Sequence, residues 1–280
     1  MNTKPKWQIA AGTIAGKEHR LTNRNNQDAL AVIDFPNVTV ATICDGCGSE
    51  QYSEVGARLG ATILTHELAT SLSSTLAEPD PEGRHVKRAL ERATLSLLSQ
   101  ICLLAKNMGA SFSLQMKNHF LFTVVGSIIT PELTTVFSLG DGLFGINGEI
   151  EKLGPFPGNY PPYLGYELVR GDDQPHFSLQ INRMIPTEDV QSLIIGSDGV
   201  FDLISNAGRK LPGMDEILGP IDQFWSEDRY FTNLDNLRRR LTLANRETKT
   251  VDWANRRVET EHGLLNDDTT LVVIRRGEEV

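Results

Sequence analysis

The sequence predicts an α+β fold, in which antiparallel β-sheets are packed against helices. Three observations lead to this prediction. Strand-like runs are grouped on either side of two long stretches, those two stretches repeat apolar residues at helical spacing, and most neighbouring strand-like runs are joined like hairpins. A parallel, doubly wound sheet would instead alternate each strand with a helix. We expect one domain over residues 1–280.

The first half of the chain supplies three strands and the two helices. The strands are predicted at "WQIAAGTIAG", "ALAVIDF" and "VTVATIC". The first helix is predicted over residues 53–76, before the helix-breaking segment "AEPDPEGR", and the second over residues 85–106. The first helix carries an apolar stripe at four- or five-residue steps, made of Val55, Leu59, Ile63, Leu68, Leu72 and Leu76.

The second half returns to strands. Strands are predicted at "HFLFTVVGSIIT", "LTTVFSLG", "QSLIIGS" and "TTLVVIRR". "LFGINGEIEKL" predicts a hairpin, because Asn147-Gly148 suits a type I′ turn. Residues 155–175 are rich in Gly, Pro and Tyr and should be irregular. Residues 206–262 are polar and helical in patches, and we expect them to form a variable flap.

Charge and composition exclude several classes of protein. The net charge is −9, and an acidic chain is a poor match for the phosphate backbone, so we expect no nucleic-acid partner. The N-terminus lacks the apolar core of a signal peptide, and no stretch approaches the roughly 18 apolar residues of a membrane helix. Three cysteines, an odd and low number, fit a reducing compartment. We therefore expect a cytoplasmic protein with no membrane partner.

Acidic residues recur at the ends of the predicted strands. Asp45, Asp141 and Asp198 each follow an apolar run and each precede a glycine, while Asp28 and Asp267 each stand just before a strand. One Asp-Gly pair is an ordinary turn. Repeated placement at strand ends would instead gather several carboxylates on one edge of a sheet.

Carboxylates gathered in this way repel one another, and burying them unpaired is costly. Oxygen ligands without His or Cys favour Mg²⁺ or Mn²⁺. Two such ions roughly 3.5–4 Å apart lower the pKa of a bound water and present it to a phosphoryl group. The sequence therefore predicts a metal site on the strand ends, with the glycines leaving room for the ions.

The ordered segments "NNQDALAV", "CDGCGSEQYSEVGARLG", "FSLGDGLFG", "IIGSDGVFDLI" and "NDDTTLVVI" resemble the motifs of the type 2C, metal-dependent Ser/Thr protein phosphatases. The resemblance spans roughly residues 16–274. A Gly-x-x-His segment ending at His19, shortly before Gln27-Asp28, resembles a bacterial branch of that family. The family fold is a four-layer α/β/β/α sandwich with two antiparallel sheets between helices, which agrees with the elements predicted above.

The resemblance implies roles for the acidic residues. Asp45 corresponds to the carboxylate that bridges two Mn²⁺ or Mg²⁺ ions, and Asp198 and Asp267 would complete the site of the first ion. Asp141 matches an aspartate that, in bacterial relatives, helps Asp198 hold a weaker third ion.

The site of the second ion is implied less uniquely. The Gly46 carbonyl would be one of its ligands. The family serves this ion with an acidic pair, to which Asp28 or the neutral Gln27 before it corresponds.

The chain departs from the family at the residues that handle substrate. The usual phosphate-anchoring Arg is replaced by Asn23, so Arg24 or Arg20 would take its place. Some members carry a His as general acid where this chain has Cys47, and His19 could then protonate the leaving oxygen. "CDGC" could also be a redox or zinc pair, but no second pair exists.

The implied function is hydrolysis of phosphoserine and phosphothreonine on proteins by a metal-activated water. A Ser/Thr kinase or its targets would be the partners. Two alternatives stay open: a pseudophosphatase that binds phosphoproteins without cleaving them, and a metal-dependent phosphoesterase acting on small molecules.

Overall fold

The computed structural model describes residues 6–75, 80, 82–109, 111–171 and 175–277. The strands are β1 (Trp7–Ile14), β2 (Asp28–Phe35), β3 (Val38–Gly46), β4 (Phe122–Ile129), β5 (Leu133–Leu139), β6 (Gly142–Ile146), β7 (Glu149–Leu153), β8 (Gln180–Pro186), β9 (Ser192–Gly196), β10 (Thr248–Asp252), β11 (Arg257–Glu261) and β12 (Thr269–Arg276). The α-helices are α1 (Lys17–Leu21), α2 (Ser53–Thr75), α3 (Arg84–Asn107), α4 (Phe112–His119), α5 (Val200–Ser205), α6 (Gln223–Ser226), α7 (Arg229–Thr232) and α8 (Asn236–Ala244). Short 3₁₀ helices lie at Pro157–Asn159, Leu164–Leu168 and Thr187–Asp189.

Two five-stranded antiparallel sheets form the centre of the molecule. One has the strand order β1-β12-β9-β6-β7 and the other β2-β3-β4-β5-β8. Their facing sides share one apolar core, which is closed by branched and aromatic residues from both sheets, among them Ile43, Val125, Phe144, Ile195 and Val272. Because the outer faces are covered as well, the central strands β3, β4 and β5 are buried at nearly every position.

Helices cover the outer face of each sheet. α2 packs on β2, β3 and β4, and α3 packs against α2 in the same apolar cluster. On the other side, α5 to α8 pack on β1, β9 and β12. The order of layers is therefore helix, sheet, sheet, helix, which confirms the predicted four-layer α+β fold.

The predicted elements are largely confirmed, with local differences. α2 begins at the predicted residue, although Leu76 lies outside the described residues. Leu68 and Leu72 of the predicted stripe are fully buried, as is Leu64, whereas Val55 is 39% exposed. α3 begins at Arg84, because the Asp80 carboxylate accepts hydrogen bonds from the first amides of the helix.

The hairpin at β6 and β7 is also confirmed. Asn147 and Gly148 both have positive φ, 53° and 87°, as a type I′ turn requires. The helix α4, the strand β8 and the hairpin of β10 and β11 were not predicted. α4 is 8 residues long and β8 is 7 residues long. Elements this short show little apolar periodicity.

Antiparallel pairing carries the functional residues to one edge. The end of β9 pairs with the start of β6 and of β12, through Gly196, Leu143 and Leu271. In the other sheet Asp28, which begins β2, is directly opposite Asp45 near the end of β3. In antiparallel sheets the end of one strand lies beside the start of the next, so acidic residues far apart in sequence meet.

Residues 206–262 cover the outer face of the sheet that contains β1. Their apolar side chains Leu211, Leu218, Leu237 and Leu241 are buried against β1, β9 and β12. The β10–β11 hairpin is exposed along its length, and Trp253 at its tip is 84% exposed. Among the described residues, no helix combines the length and the apolar character needed to cross a membrane.

Candidate metal centre

A cavity of about 260 Å³ opens where the ends of the two sheets meet. Four of the predicted acidic ligands line it, together with the turn that follows β3, an aromatic lip from the irregular segment after β7, and His19. The lining residues are Asp45, Asp141, Asp198, Asp267, Gly46, Cys47, Gly48, Ser49, Thr123, Tyr160, Pro161, Tyr163 and His19. No Lys or Arg is found among these described lining residues.

Asp28 lies beside the cavity rather than on its wall. It is 6% exposed, and its Oδ2 accepts a hydrogen bond from Ser197 Oγ at 2.7 Å. Ser197 Oγ in turn accepts the Thr270 amide at 3.0 Å. Asp28 is therefore tied to β9 and β12 of the other sheet, directly behind Asp45.

Burial and mutual repulsion raise the pKa of these carboxyl groups. Burial is the larger cause for Asp45, followed by the charges of Asp28 and Asp198. Burial, and then the charge of Asp267, raises the pKa of Asp198 to about 7. Burial, with a smaller effect of Asp268, raises the pKa of Asp28 to about 8. The pKa of Asp141 and of Asp267 is raised as well, again mainly by burial.

The donors present fit a divalent cation. Asp28 Oδ1 and Asp198 Oδ1 are buried oxygens without a hydrogen-bond donor, and a buried carboxylate oxygen normally has one. The cavity supplies oxygen ligands, which Mg²⁺ and Mn²⁺ prefer. Repulsion between the aspartates disappears once a cation lies between them.

The spacing of the donors bears on the coordination. Among the described residues, the only three acidic, His or Cys side chains whose ligand atoms all lie within 4.8 Å of one another are His19, Asp267 and Asp268. Asp45, Asp198 and Asp267 are therefore more widely spaced as a set. Such spacing suits a divalent cation that keeps several of its waters and takes few protein ligands.

Asp268 is occupied by hydrogen bonds from the chain. Its Oδ1 accepts the Gly16 amide at 2.7 Å, and its Oδ2 accepts the Gln27 amide at 2.5 Å. His19 Nδ1 also lies 2.8 Å from Oδ2. Asp268 thus joins the segment before β2 to the start of β12. Its neighbour Asp267 lines the cavity instead.

His19 is held at the cavity by this contact. The side chains of His19 and Asp268 are 11% and 3% exposed. The hydrogen bond that His19 donates to Asp268 raises the pKa of His19 above its ordinary value, against the opposing effect of burial. The contact with Asp268 therefore favours the protonated form of the imidazole.

The two predicted arginines lie outside the cavity wall. The Arg20 guanidinium donates to the Asn245 carbonyl and lines a separate pocket with Glu247 and His262. Arg24 is in the irregular segment between α1 and β2, as expected, and donates to the carbonyl oxygens of Gly48 and Glu50. Of the two, Arg24 is the one that touches a residue of the cavity wall.

Gly46 and Gly199, in two of the Asp-Gly pairs, also lie close to neighbouring segments of the chain. A Cβ on Gly46 would lie 2.7 Å from Ser53 Oγ, and one on Gly199 would lie 2.0 Å from the Asp268 carbonyl oxygen. The neighbours that exclude a side chain are therefore protein atoms. Glycine is required there so that α2 and β12 can approach the strand ends closely.

The "CDGC" cysteines do not act as a pair. Cys44 is fully buried in the core under α2, whereas Cys47 is half-buried and lines the cavity, with its Sγ 3.3 Å from Ser49 Oγ. Both are free thiols. Successive residues of a strand face opposite sides, and this alternation separates the two sulfurs.

Several site residues were missed by sequence reasoning. Ser197 and Asp268 are adjacent in sequence to the predicted ligands Asp198 and Asp267. Only the fold shows that Ser197 donates to Asp28 and that Asp268 accepts the Gly16 and Gln27 amides. Thr123 and Tyr163 come from segments with no motif, and burial raises the pKa of Tyr163 far above its ordinary value. No pattern in the sequence indicates that they face the cavity.

Comparison with known proteins agrees with this geometry. The family model described as Protein phosphatase 2C matches residues 15–242, which includes the cavity residues from His19 to Asp198 and ends before β12. No curated protein matches the chain.

Solved structures show the same fold at low identity. A serine-threonine phosphatase 2C from Toxoplasma gondii is 11% identical, with a TM-score of 0.59, over 99% of this chain and 98% of that one. The serine/threonine phosphatase Stp1 from Staphylococcus aureus is 15% identical, with a TM-score of 0.54, over 99% and 98%. The S. agalactiae serine/threonine phosphatase is 17% identical, with a TM-score of 0.54, over 97% and 100%.

Proposed function

This chain belongs to the protein phosphatase 2C family and is a protein phosphatase, and on that premise we propose that it hydrolyses phosphoserine and phosphothreonine monoesters on proteins with a water activated by two divalent cations. The family is metal-dependent and acts on phosphoproteins. The number of ions, their identity as Mn²⁺ or Mg²⁺, and the choice of phosphoserine and phosphothreonine are part of the proposal.

One observation carries the proposal: four aspartates line one cavity whose described wall contains no Lys or Arg. A phosphate dianion could not enter such a cavity against the charge of its walls. Divalent cations remove that barrier and supply a water of lowered pKa together with neutralisation of the phosphate charge. All the aspartates implied as ligands are retained, which favours an active enzyme over a pseudophosphatase.

The chain's own residues have the following proposed roles at the metals. Asp45 lies centrally on the cavity wall and would contact both ions. Asp198 and Asp267, at the ends of neighbouring strands, would hold the first. Asp141 would help Asp198 with a weaker third.

At the second ion, the Gly46 carbonyl and Asp28 are the proposed ligands. Asp28 Oδ1 and Gln27 Oε1 are both buried oxygens without a hydrogen-bond donor. We propose Asp28 as the ligand because its carboxylate is anionic, whereas the Gln27 side chain is neutral and its amide donates to the Glu50 carbonyl at 2.9 Å.

His19 is the proposed general acid. Because Nδ1 is engaged with Asp268, the proton available for the leaving oxygen is the one on Nε2. The hydrogen bond to Asp268 raises the pKa of His19 and so favours the protonated imidazole that a general acid needs. Asp268 would act as a positioning residue that holds the ring at the cavity.

The phosphate anchor is proposed to involve Arg24 rather than Arg20, since Arg24 contacts the cavity wall through Gly48. The remaining partners are proposed from the reaction: a Ser/Thr kinase or its targets would supply the phosphoprotein. We further propose that the protein acts in the cytoplasm.

The test is hydrolysis of a phosphothreonine peptide and of para-nitrophenyl phosphate, with Mn²⁺, Mg²⁺ or EDTA in parallel. We expect both substrates to be cleaved with metal and neither with EDTA. Cleavage of small phosphoesters alone would indicate a small-molecule phosphoesterase. Binding of the phosphopeptide without cleavage of either substrate would indicate a pseudophosphatase and overturn the proposal.

A further inference from the structure

A tight turn forms the cavity wall next to Asp45. The Glu50 amide donates to the Cys47 carbonyl at 2.9 Å, so Gly48 and Ser49 occupy the central positions of a β-turn. Both are exposed and both line the cavity. Within the described ranges, neither of their amides donates a hydrogen bond to another part of the protein. Successive free amides in a turn form a concave site that attracts anions.

The carbonyls of this turn are held on the side away from the free amides. The Cys47 carbonyl accepts Ser53 Oγ at 3.0 Å in addition to the turn bond. The Gly48 carbonyl accepts Arg24 Nη1 at 2.5 Å. In a planar trans peptide the N–H points opposite to the C=O. The contacts at Cys47 and Gly48 carbonyls therefore direct the Gly48 and Ser49 amides away from the groups that hold the turn.

Arg24 and Gln27 hold the turn through hydrogen bonds to its carbonyl oxygens. Arg24 also donates to the Glu50 carbonyl, which accepts Gln27 Nε2 at 2.9 Å as well. Gln27 is 1% exposed, and its own carbonyl accepts the Gly46 amide at 3.1 Å. One arginine and one buried glutamine thus tie the turn to the segment that carries the metal-site residues.

The Ser49 hydroxyl is already committed. It donates to Glu50 Oε1 at 3.2 Å, and Glu50 lies 3.8 Å from Lys117 Nζ. The two backbone amides are therefore the uncommitted donors of the turn.

We propose that the Gly48 and Ser49 amides form a phosphate-binding cradle and that Arg24, assisted by Gln27, is a positioning residue that orients it. The inference rests on the proposed function, because it assumes a phosphoester in this cavity. It accounts for the absence of an arginine at position 23: the guanidinium one residue later acts on the phosphate through the turn, and the backbone supplies the hydrogen bonds.

The test compares Gly48→Pro with Gly48→Ala. An added Cβ at Gly48 meets no atom within 4 Å, and proline is favoured at this turn position, so both substitutions suit the turn and only proline removes the amide hydrogen. Relative to Gly48→Ala, we expect Gly48→Pro to raise KM for para-nitrophenyl phosphate and Ki for inorganic phosphate roughly tenfold, the effect of one hydrogen bond to a charged group.

A second measurement does not depend on turnover. In the presence of Mn²⁺, inorganic phosphate should raise the melting temperature less in Gly48→Pro than in Gly48→Ala. The increase caused by Mn²⁺ alone should be the same in both variants, because the metal ligands are intact. Equal phosphate constants and equal phosphate-induced shifts in the two variants would overturn the cradle.

Arg24 is tested separately. If Gly48→Pro does not fold, the Arg24 variants provide the deciding test. Arg24→Ala should raise Ki for phosphate, and Arg24→Lys should restore part of it, since an ammonium can still donate to the Gly48 carbonyl. An unchanged Ki in Arg24→Ala would refute the positioning role. If the wild type binds phosphate with these properties but cleaves no phosphoester, the proposed function fails and the cradle stands.

Discussion

The aspartates of the cavity and Asp235, just before α8, have opposite electrostatic surroundings. Asp235 accepts hydrogen bonds from Arg238 Nε at 2.7 Å and Arg239 Nε at 2.8 Å, which lower its pKa. Asp45 and Asp198 lie in a cavity whose described lining contains no Lys or Arg, and their pKa is raised. Arginines of the chain itself therefore neutralise Asp235, whereas the cavity aspartates would be neutralised by bound metal ions.

The largest expected effect separates these two groups by substitution. Asp45→Ala should reduce hydrolysis of para-nitrophenyl phosphate to the background rate, because it removes the ligand proposed to contact both ions and no other residue is proposed for that role. Asp235→Ala should leave the rate unchanged, since an exposed ion pair contributes little. Steady-state kinetics with Mn²⁺ measures both.

The same pair of variants tests metal binding directly. Mn²⁺ should raise the melting temperature of the wild type and of Asp235→Ala by mass action. At a hundredfold excess of Mn²⁺ over Kd, the free energy of unfolding should increase by about 2.7 kcal/mol. The increase should be much smaller in Asp45→Ala. An active Asp45→Ala, or a wild type whose melting temperature ignores Mn²⁺ and Mg²⁺, would contradict the metal centre.

The second prediction concerns pH in the absence of metal. The folded chain raises the pKa of Asp198 from 3.8 to about 7, so the folded state binds this proton more tightly than the unfolded state. The resulting stability is present below pH 4 and is lost as the pH rises through about 7. In EDTA, the melting temperature should therefore fall between pH 5 and about 8.

Two comparisons sharpen this pH effect. Asp198→Asn should reduce the fall, because an amide does not titrate in this range. Mn²⁺ should oppose the fall, since the cation replaces the proton between the carboxylates. A melting temperature that is constant in EDTA over this range would show that the cavity aspartates are not destabilised by one another.

The third prediction concerns His19, a histidine on the wall of the cavity. His19→Gln should lower kcat for a phosphothreonine peptide by about 10²-fold, the usual contribution of a general acid. Hydrolysis of para-nitrophenyl phosphate should change far less, because para-nitrophenolate leaves without protonation. Equal losses on both substrates would assign His19 a structural role.

The smallest effect is expected from residues 206–262, the proposed flap. The structure packs the apolar side chains of this region under the β1 sheet and leaves the β10–β11 hairpin exposed. None of its residues is among the described lining of the cavity. Shortening the hairpin, or Trp253→Ala, should alter the preference among phosphopeptides a few-fold.

Para-nitrophenyl phosphate provides the control for the flap, since its turnover should not change in these variants. Ala244 is buried at the end of α8 and should be kept, because the helix packs on β1. If peptide preference is the same after the hairpin is shortened, the hairpin does not select substrates.

Much of the fold could be predicted from local patterns. α2 and α3 are long enough for their apolar period to define them, and Asn147-Gly148 fixes its hairpin through backbone geometry alone. α4 and β8 escaped prediction because seven or eight residues carry too little periodicity. The predicted stripe of α2 is buried at Leu68 and Leu72 but not at Val55, which is apolar and 39% exposed.

The sequence by itself determined the strand-end positions of the acidic residues and the order of the motifs, since both depend on residues adjacent in the chain. Only the tertiary structure decided that Asp267 faces the cavity while Asp268 is bound by the Gly16 and Gln27 amides. It also decided that Arg24 holds the Gly48 turn. These outcomes depend on hydrogen bonds between segments as many as 252 residues apart, and antiparallel pairing, not the local sequence, brings such segments together.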